Sequence, residues 1–245
     1  MKQRLISIAV WTVCTFLSAA SLWADSIHVG AYHFRPYFDA DKVGKVRGIW
    51  KNLLEKELVS LGYEPIFEFW PPPRIARNII QGRTNVTIAA HHVAVDDHVY
   101  YSDKPVDEIV LNAYYRKGGK TATGVKDFSG KSVIIIRGYA YNGRIKALRE
   151  PINNITLIEA TSHEDAVRRL EKGHADYLLD YKHPVSSAFQ LTGINANSFA
   201  VNEISRYAVY YVVSKKTPNA KALAEKLSAG LSAHTIPNIG IKNTH

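Results

Sequence analysis

Short apolar runs that alternate with amphipathic helical patterns are the feature that most limits how this chain can fold. Residues 27–32, 65–69 and 86–90 read as strands because they are short and apolar, and glycine or proline bounds them. Residues 49–61 and 74–81, which lie between these strands, read as helices. This strand–helix–strand–helix–strand order favours a parallel, doubly wound sheet and an α/β fold.

The same pattern restarts after a polar stretch at residues 117–124. The predicted strands of this region are residues 109–115, 131–136, 175–179 and 207–213. The predicted helices are residues 141–149, one opened by a capping box of Thr161 and Glu164, one from Pro184, and one capped by Thr217. Two such units in tandem predict two lobes. Ligands of open α/β sheets bind beyond the carboxyl ends of the strands, so a single cleft between the lobes is expected.

The first 24 residues have the composition of a secretory signal peptide. Lys2 and Arg4 precede a long apolar run, and a small residue stands at the expected cleavage site. The alternative is an uncleaved membrane anchor, because the run is near the lower limit of ~17 residues for a membrane span. Cys14 is the only cysteine of the chain, so a mature protein without residues 1–24 has none, which suits an oxidising compartment. We therefore expect a soluble, exported protein in the periplasm.

The charge and composition exclude several other classes. Hydrophobic residues make up 46% of the chain and charged residues 22%, which is typical of a globular protein. The formal charge is +9, and loss of the two positive charges of the signal segment leaves +7. This charge is spread along the chain, with tight pairs at Lys215-Lys216 and Arg168-Arg169. A nucleic-acid-binding protein needs a clustered basic stripe, so we expect a solvated surface and no nucleic acid partner.

Several short motifs follow one another in a characteristic order. They are Phe34-Arg35-Pro36-Tyr37, Arg47-Gly48-Ile49, Trp70 with Arg74 and Gly82, Tyr101-Ser102-Asp103, Phe128-Ser129-Gly130-Lys131 with Arg137-Gly138, and Gly173-x-x-Asp176. In these motifs the sequence resembles the bacterial periplasmic solute-binding proteins of the polar-amino-acid family, family three. The resemblance covers residues 27–233.

This resemblance implies a two-lobed periplasmic-binding-protein-like fold of type II, with two doubly wound sheets joined by a two-strand hinge. Residues 25–115 and 205–245 would form the first lobe, and residues 116–204 the inserted second lobe. The hinge would cross residues 114–117 and 204–207.

The family also implies a function. A monomer would capture a small polar solute, either an amino acid or an amino-acid-like or cationic compound. It would deliver this solute to the membrane permease of an ABC importer. No cofactor, metal or catalytic activity is implied. Two alternatives stay open, a receptor for a membrane sensor protein and a periplasmic dehydratase-like enzyme on the same scaffold.

The sequence departs from the family at two ligand contacts. Family members that bind amino acids carry an arginine shortly before the Tyr101-Ser102-Asp103 element, and here residues 93–98 contain none. Asp180 stands near the position of the acid that pairs with the ligand ammonium, but the spacing is one residue short, so Tyr181 is the other candidate. We expect poor binding of acidic amino acids, and we expect Asp180 to contact a cationic ligand.

The candidate ligand-binding residues cluster at the predicted strand ends. They are Tyr32, Phe34, Tyr37, Trp70, Arg74, His91, His92, Arg137, Gly138, Tyr139, Asp180 and Tyr181. The aromatic residues fit a platform that stacks flat or cationic groups, and the Arg137 turn fits an anionic contact at a helix start. Structural alternatives are packing for the aromatics, bracing for Arg137, and a solvated helix face for Arg77, which lies one helical turn from Arg74.

The adjacent histidines His91 and His92 allow a second interpretation, a metal site. No spacing typical of a zinc enzyme accompanies them. Neighbouring residues of an extended chain point in opposite directions, so we expect one histidine to face the cleft as a neutral hydrogen-bonding group.

Overall fold

The structure is a computed structural model, and it describes residues 25–231. The predicted signal segment lies outside these residues. The strands are β1 (Ser26–Ala31), β2 (Asp39–Ala40), β3 (Val46–Arg47), β4 (Glu64–Phe69), β5 (Val86–Ala89), β6 (Val99–Tyr101), β7 (Asp107–Arg116), β8 (Ser132–Ile136), β9 (Thr156–Ala160), β10 (Tyr177–Tyr181) and β11 (Phe199–Ser214). The helices are α1 (Ile49–Ser60), α2 (Pro72–Gln81), α3 (Arg144–Arg149), α4 (His163–Glu171), α5 (Lys182–Thr192) and α6 (Ala220–Gly230).

The first lobe contains β1–β6 with helices α1, α2 and α6. Strand β1 pairs in parallel with both β4 and β5, as the predicted strand–helix alternation requires. Helix α1 forms the first crossover and buries Trp50, Leu54 and Leu58 completely or nearly so. The apolar spacing of α1 is therefore explained by the core, because the helix packs its apolar side chains against it.

The second lobe contains β8–β10 with helices α3–α5. Strand β8 pairs in parallel with β9 and with β10. Helix α4 covers this sheet through Ala166, Val167 and Leu170, which are fully buried. The two lobes thus repeat one arrangement of parallel strands and covering helices.

Two long strands, β7 and β11, join the lobes. They pair antiparallel along all of β7 and residues 199–209 of β11. The order across the sheet is β4-β1-β5-β11-β7-β10-β8-β9, with β6 also paired to β11. The register shifts between Glu203 and Ser205, so the ladder is interrupted at Ile204. This interruption lies at the start of the crossing predicted at residues 204–207. The architecture is the predicted two-lobed α/β fold.

Five helix starts differ from the sequence predictions, and two of them, those of α2 and α5, lie two residues earlier than predicted. The N-cap of α4 is Ser162, whose hydroxyl accepts from the Asp165 amide, so the predicted cap at Thr161 is one residue too early. Helix α6 begins after Asn219, not at Thr217, because Asn219 has a left-handed backbone conformation. Helix α3 begins at Arg144 and not at Tyr141, since residues 141–143 all have positive φ values.

The sequence predictions lack the two-residue strands β2 and β3 as well as strands β6 and β9. Strand β9 is at the edge of the sheet, and only Ala160 of its five residues is fully buried, so its apolar signal is weak. Strand β6 has three residues and follows a short turn of 3₁₀-helix. Within residues 25–231, every helix is too short or too polar to span a membrane.

Candidate functional site

A cavity of about 350 Å³ lies between the lobes. The first lobe contributes the turn after β1, the end of β5 and part of α2, and the second lobe contributes the turn after β8 and the end of β10. These are the strand ends at which the sequence placed the site. Residues from the predicted set that line the cavity are Tyr32, Phe34, His91, His92, Gly138, Tyr139 and Tyr181.

One wall of the cavity is a cluster of buried aromatic rings from both lobes. The Phe34 ring meets the Tyr181 ring edge-on, with 5.2 Å between centroids. Tyr141 stacks on Tyr181 at 6.0 Å, and Tyr139 lies 6.1 Å from it. Burial raises the pKa of the Tyr139, Tyr141 and Tyr181 hydroxyls, so these groups stay neutral. The wall therefore offers apolar ring surface and no charge.

Another part of the lining carries His91, which stacks on the Tyr101 ring with 3.7 Å between centroids. Tyr210 meets His91 edge-on at 4.9 Å. The Tyr101 hydroxyl donates to Asp96 at 2.5 Å, and Nδ1 of His91 lies 3.8 Å from the same carboxylate oxygen. Asp96 thus contacts both side chains of the stacked pair.

Both His91 and His92 line the cavity, where the sequence analysis expected one of the pair to face the cleft. Strand β5 ends at Ala89, so the two residues are not on an extended strand and need not point in opposite directions. Nδ1 of His92 accepts from the Ala94 amide at 3.2 Å. Among residues 25–231, no group of three or more His, Cys, Asp or Glu side chains is placed to hold a metal ion.

A buried chain of hydrogen bonds crosses between the lobes beside the cavity. Nδ1 of His163 lies 2.6 Å from Oδ2 of Asp180, and Nε2 of His163 lies 3.2 Å from the Tyr139 hydroxyl. The Tyr139 hydroxyl donates to the backbone carbonyl oxygen of His33 in the first lobe. Burial lowers the pKa of His163, but the charge of Asp180 and its hydrogen bond outweigh burial, so the pKa is raised.

Charged side chains extend this chain towards the surface. Arg35 of the first lobe contacts Asp39 at 2.9 Å and Glu164 of the second lobe at 2.6 Å. The His33 ring, whose Nε2 lies 4.0 Å from Glu164, and the nearby charge of Arg35 lower the pKa of Glu164, although burial opposes them. We refer to His33, Arg35, Glu164, His163 and Asp180, with the Tyr139 hydroxyl, as the interlobe network. The network joins the two lobes through the Tyr139–His33 and Arg35–Glu164 contacts.

Asp180 is fully buried in this network and does not line the cavity. Its Oδ1 atom accepts from the Tyr181 amide at 2.8 Å, while Oδ2 is engaged by His163. Tyr181, the alternative that the spacing left open, lies at the cavity wall. His163 escaped the sequence analysis because a lone histidine at a helix start carries no signal of a partner 17 residues away.

Four other predicted residues lie outside the cavity wall. Tyr37 is behind it, stacked on Trp50 at 4.3 Å. The Arg74 guanidinium lies 3.6 Å from the Trp70 ring centroid, and both line a separate outer groove of the first lobe. The Arg137 side chain is 66% exposed and its Nε lies 3.1 Å from Glu159, so it braces the second lobe's surface.

Comparison with known sequences gives one partial relationship. No protein-family model matches the chain. The chain is 28% identical over 134 residues to the membrane-bound lytic murein transglycosylase F of Cellvibrio japonicus. The match covers 53% of this chain, and it spans only 27% of that longer protein.

Comparison with solved structures identifies the class of fold. An ancestral arginine-binding protein bound to arginine superposes with a TM-score of 0.70 at 21% identity, over 85% of this chain and 91% of that one. A histidine kinase sensor domain with similarity to periplasmic binding proteins superposes with a TM-score of 0.71 at 19% identity, over 86% and 90%. The chain therefore has the type II periplasmic-binding-protein fold.

Proposed function

We propose that the protein captures a small organic solute in the interlobe cavity and is a solute-binding protein of the polar-amino-acid family. The observation that carries this proposal is the cavity itself, which both lobes build at the carboxyl ends of their strands. Its volume is at the lower end of the ~300–1,000 Å³ that small-molecule sites occupy. The similarity in fold to an arginine-binding protein supports the same reading and makes amino acids and related amines the first compounds to test.

The mechanism that we propose is closure of the lobes on the solute. Strands β7 and β11 carry the hinge, and the proposed lobe boundaries are residues 25–115 with 205–245 and residues 116–204. A solute that touches both walls binds the closed state better than the open one, and this difference shifts the population to the closed state. The interlobe network supplies contacts that exist only when the lobes meet.

Delivery to the membrane permease of an ABC importer is the partner role that we propose. Export through residues 1–24 would place the protein in the periplasm, where such receptors meet their permeases. A second candidate is a ligand-sensing receptor for a membrane signalling protein, which the similarity in fold to a kinase sensor domain favours. Uptake of a labelled solute by cells with and without the gene separates these roles, because a sensor leaves uptake unchanged.

Binding rather than catalysis is proposed for the cavity. Its described lining contains no Asp or Glu, and its histidines are not part of the buried Asp180–His163 pair. An enzyme that performs proton transfer places an acid or base within hydrogen-bond reach of the substrate, and in this lining His91 and His92 would have to take that role. A dehydratase-like activity is tested by incubating the purified protein with prephenate, and turnover would contradict the proposal.

Ligand binding is tested by a thermal-shift screen of the exported protein against amino acids, amines, organic acids and small peptides. A ligand at a hundred times its dissociation constant adds ~2.7 kcal/mol to the free energy of unfolding. The matched variants are Ala90→Phe, which fills the cavity, and Ala222→Phe, which adds the same ring to an exposed site on α6. The proposal predicts a ligand shift that Ala90→Phe abolishes and Ala222→Phe preserves. A ligand shift that survives Ala90→Phe would contradict it.

A further inference from the structure

The cavity has no charged partner for a charged solute. The described residues that line it include no Lys, Arg, Asp or Glu. Arg35 and Glu164 neutralise each other at the interlobe network, and Asp180 is paired with His163. Moving an ion from water into such a site without an opposite charge is costly.

Arg144 is a cation near the cavity wall, since its charge acts on Tyr181. Its guanidinium donates to the hydroxyls of Tyr207 and Ser205, and it is not among the lining residues. The basic side chains of α2, Arg74 and Arg77, face the outer groove. None of these cations is positioned to receive a carboxylate inside the cavity.

Most hydroxyl groups of the lining are already used by the protein. The Tyr32 hydroxyl donates to the Ile88 carbonyl oxygen at 3.1 Å, and the Thr87 hydroxyl donates to the Gly30 carbonyl oxygen at 2.7 Å. The hydroxyls of Tyr101 and Tyr139 donate to Asp96 and to the His33 carbonyl oxygen. These groups hold the wall in place and have no proton left for a solute.

Few polar groups therefore remain for recognition. The Tyr181 hydroxyl has no hydrogen-bond partner among residues 25–231. The other side-chain groups of the lining that keep hydrogen-bonding capacity are the His91 and His92 rings, the exposed Asn142 amide and the Tyr141 hydroxyl, which accepts from the Ile136 amide and keeps its proton. The rest of the surface is the aromatic ring cluster together with apolar residues of α2 such as Ile75 and Ala76. Flat rings pack well against such a surface, and aromatic pairs gain additional favourable energy.

From this distribution we infer that the solute is a flat, uncharged aromatic molecule with one or two hydrogen-bonding groups. The inference rests on the proposed function and narrows the solute class of the same cavity. It separates this chain from the arginine-binding neighbour, whose ligand is charged.

Calorimetry with three compounds that share one ring tests the inference. The probes are indole, which is neutral, tryptamine, which is a cation at neutral pH, and indole-3-acetate, which is an anion. Indole is expected to bind more tightly than either charged analogue by more than about tenfold, which corresponds to ~1.4 kcal/mol. Tryptamine is expected to rank second, because ring faces attract cations and partly offset the lost hydration.

Two variants locate the binding. Ala90→Phe should abolish indole binding, and Ala222→Phe should leave it unchanged. Tyr181→Phe removes the one unpaired hydroxyl of the aromatic wall and should weaken indole by about two- to tenfold, the size of one hydrogen bond. Tyr100→Phe is its matched control, because Tyr100 does not line the cavity.

Equal or tighter binding of a charged analogue overturns the inference, as does indole binding that survives Ala90→Phe. Absence of binding by all three probes also overturns it. The proposed function is judged separately by the broad screen. If an arginine-like solute binds there and Ala90→Phe abolishes its binding, solute capture stands and the uncharged aromatic class is wrong.

Discussion

The cavity and the interlobe network lie side by side in one cleft, and they differ in how they use charge. The cavity wall has no Lys, Arg, Asp or Glu among its described residues, whereas the network contains Arg35, Glu164, His163 and Asp180 in direct contact. Both regions join the same two lobes. The difference indicates a division of labour, in which charged groups hold the lobes together and neutral groups receive the solute.

Physical chemistry explains why the two tasks are separated. A buried charge is tolerated when it is paired and its remaining hydrogen bonds are satisfied. Asp180 meets both conditions through His163 and the Tyr181 amide. Using Asp180 to bind a solute would leave the buried imidazole of His163 without its partner. The four predictions that follow test this division, beginning with the largest effect.

Removing the carboxylate of the network should have the largest effect. Asp180→Ala is expected to reduce the free energy of unfolding by roughly 3–5 kcal/mol, because His163 would be left buried without its ion-pair partner. Urea denaturation measures this change. Asp97→Ala is the control, since Asp97 is exposed, and it should alter stability little. A loss no larger for Asp180→Ala than for the control would contradict the structural role of the pair.

The contact between Arg35 and Glu164 should couple the lobes. A double-mutant cycle with Arg35→Ala and Glu164→Gln is expected to give a coupling energy of about 0.5–3 kcal/mol, the range for residues in contact. Small-angle scattering of Glu164→Gln without solute should show a larger radius of gyration than that of the native protein. Additive stability changes together with an unchanged radius would show that the contact does not hold the lobes closed.

The pH dependence of stability follows from the two shifted groups. Because its pKa is raised, protonated His163 contributes to the free energy of unfolding, and this contribution is complete below about pH 6.5, the ordinary pKa of imidazole. This contribution is lost as the pH rises through the higher folded value. The lowered pKa of Glu164 gives a contribution that is present above the ordinary carboxyl range and is lost as the pH falls.

The free energy of unfolding should therefore decline on the alkaline side with a slope of at most ~1.4 kcal/mol per pH unit for His163. Urea denaturation at a series of pH values measures the slope. His163→Gln should flatten the decline, because the glutamine side chain does not titrate. An equally steep decline in that variant would assign the effect to another group.

The smallest expected effect distinguishes two tyrosine hydroxyls of the same wall. Tyr139→Phe removes the bond to the His33 carbonyl oxygen and should cost about 0.5–1.5 kcal/mol of unfolding free energy. Tyr181→Phe removes a hydroxyl with no partner in residues 25–231 and should leave stability nearly unchanged. Thermal denaturation of both variants without solute makes the comparison. A larger loss of stability for Tyr181→Phe than for Tyr139→Phe would contradict this assignment of the two hydroxyls.

The sequence predicted the order of the elements well because the signals for it are local. The parallel pairing of β1 with β4 and β5 follows from strand–helix alternation, and the register then follows from the pleat. Errors occurred where a local signal was weak or ambiguous. The edge strand β9 is half-exposed, so its apolar pattern is weak. Thr161 and Ser162 are adjacent and both residue types cap helices, so the sequence did not distinguish which of them caps α4.

The candidate site was predicted in part for the same reason. Residues at strand ends, such as Tyr32, His91 and Tyr181, could be assigned to the cleft because topology brings strand ends together. Asp180 was expected at the ligand from its spacing, and its burial against His163 is a contact between side chains that spacing does not encode. Arg35 and Glu164, which are 129 residues apart, gave no pairing signal at all.

The sequence by itself determined the α/β class, the two units and the regions that form the cleft, because periodicity and turn residues act over short stretches of chain. Tertiary structure alone decided which side chains face the cavity and which face each other. The physical reason is that a charge removed from water is tolerated only beside an opposite charge and with its remaining hydrogen bonds satisfied. Because Arg35 pairs with Glu164 and His163 pairs with Asp180, these charges do not face the cavity, and uncharged rings line it.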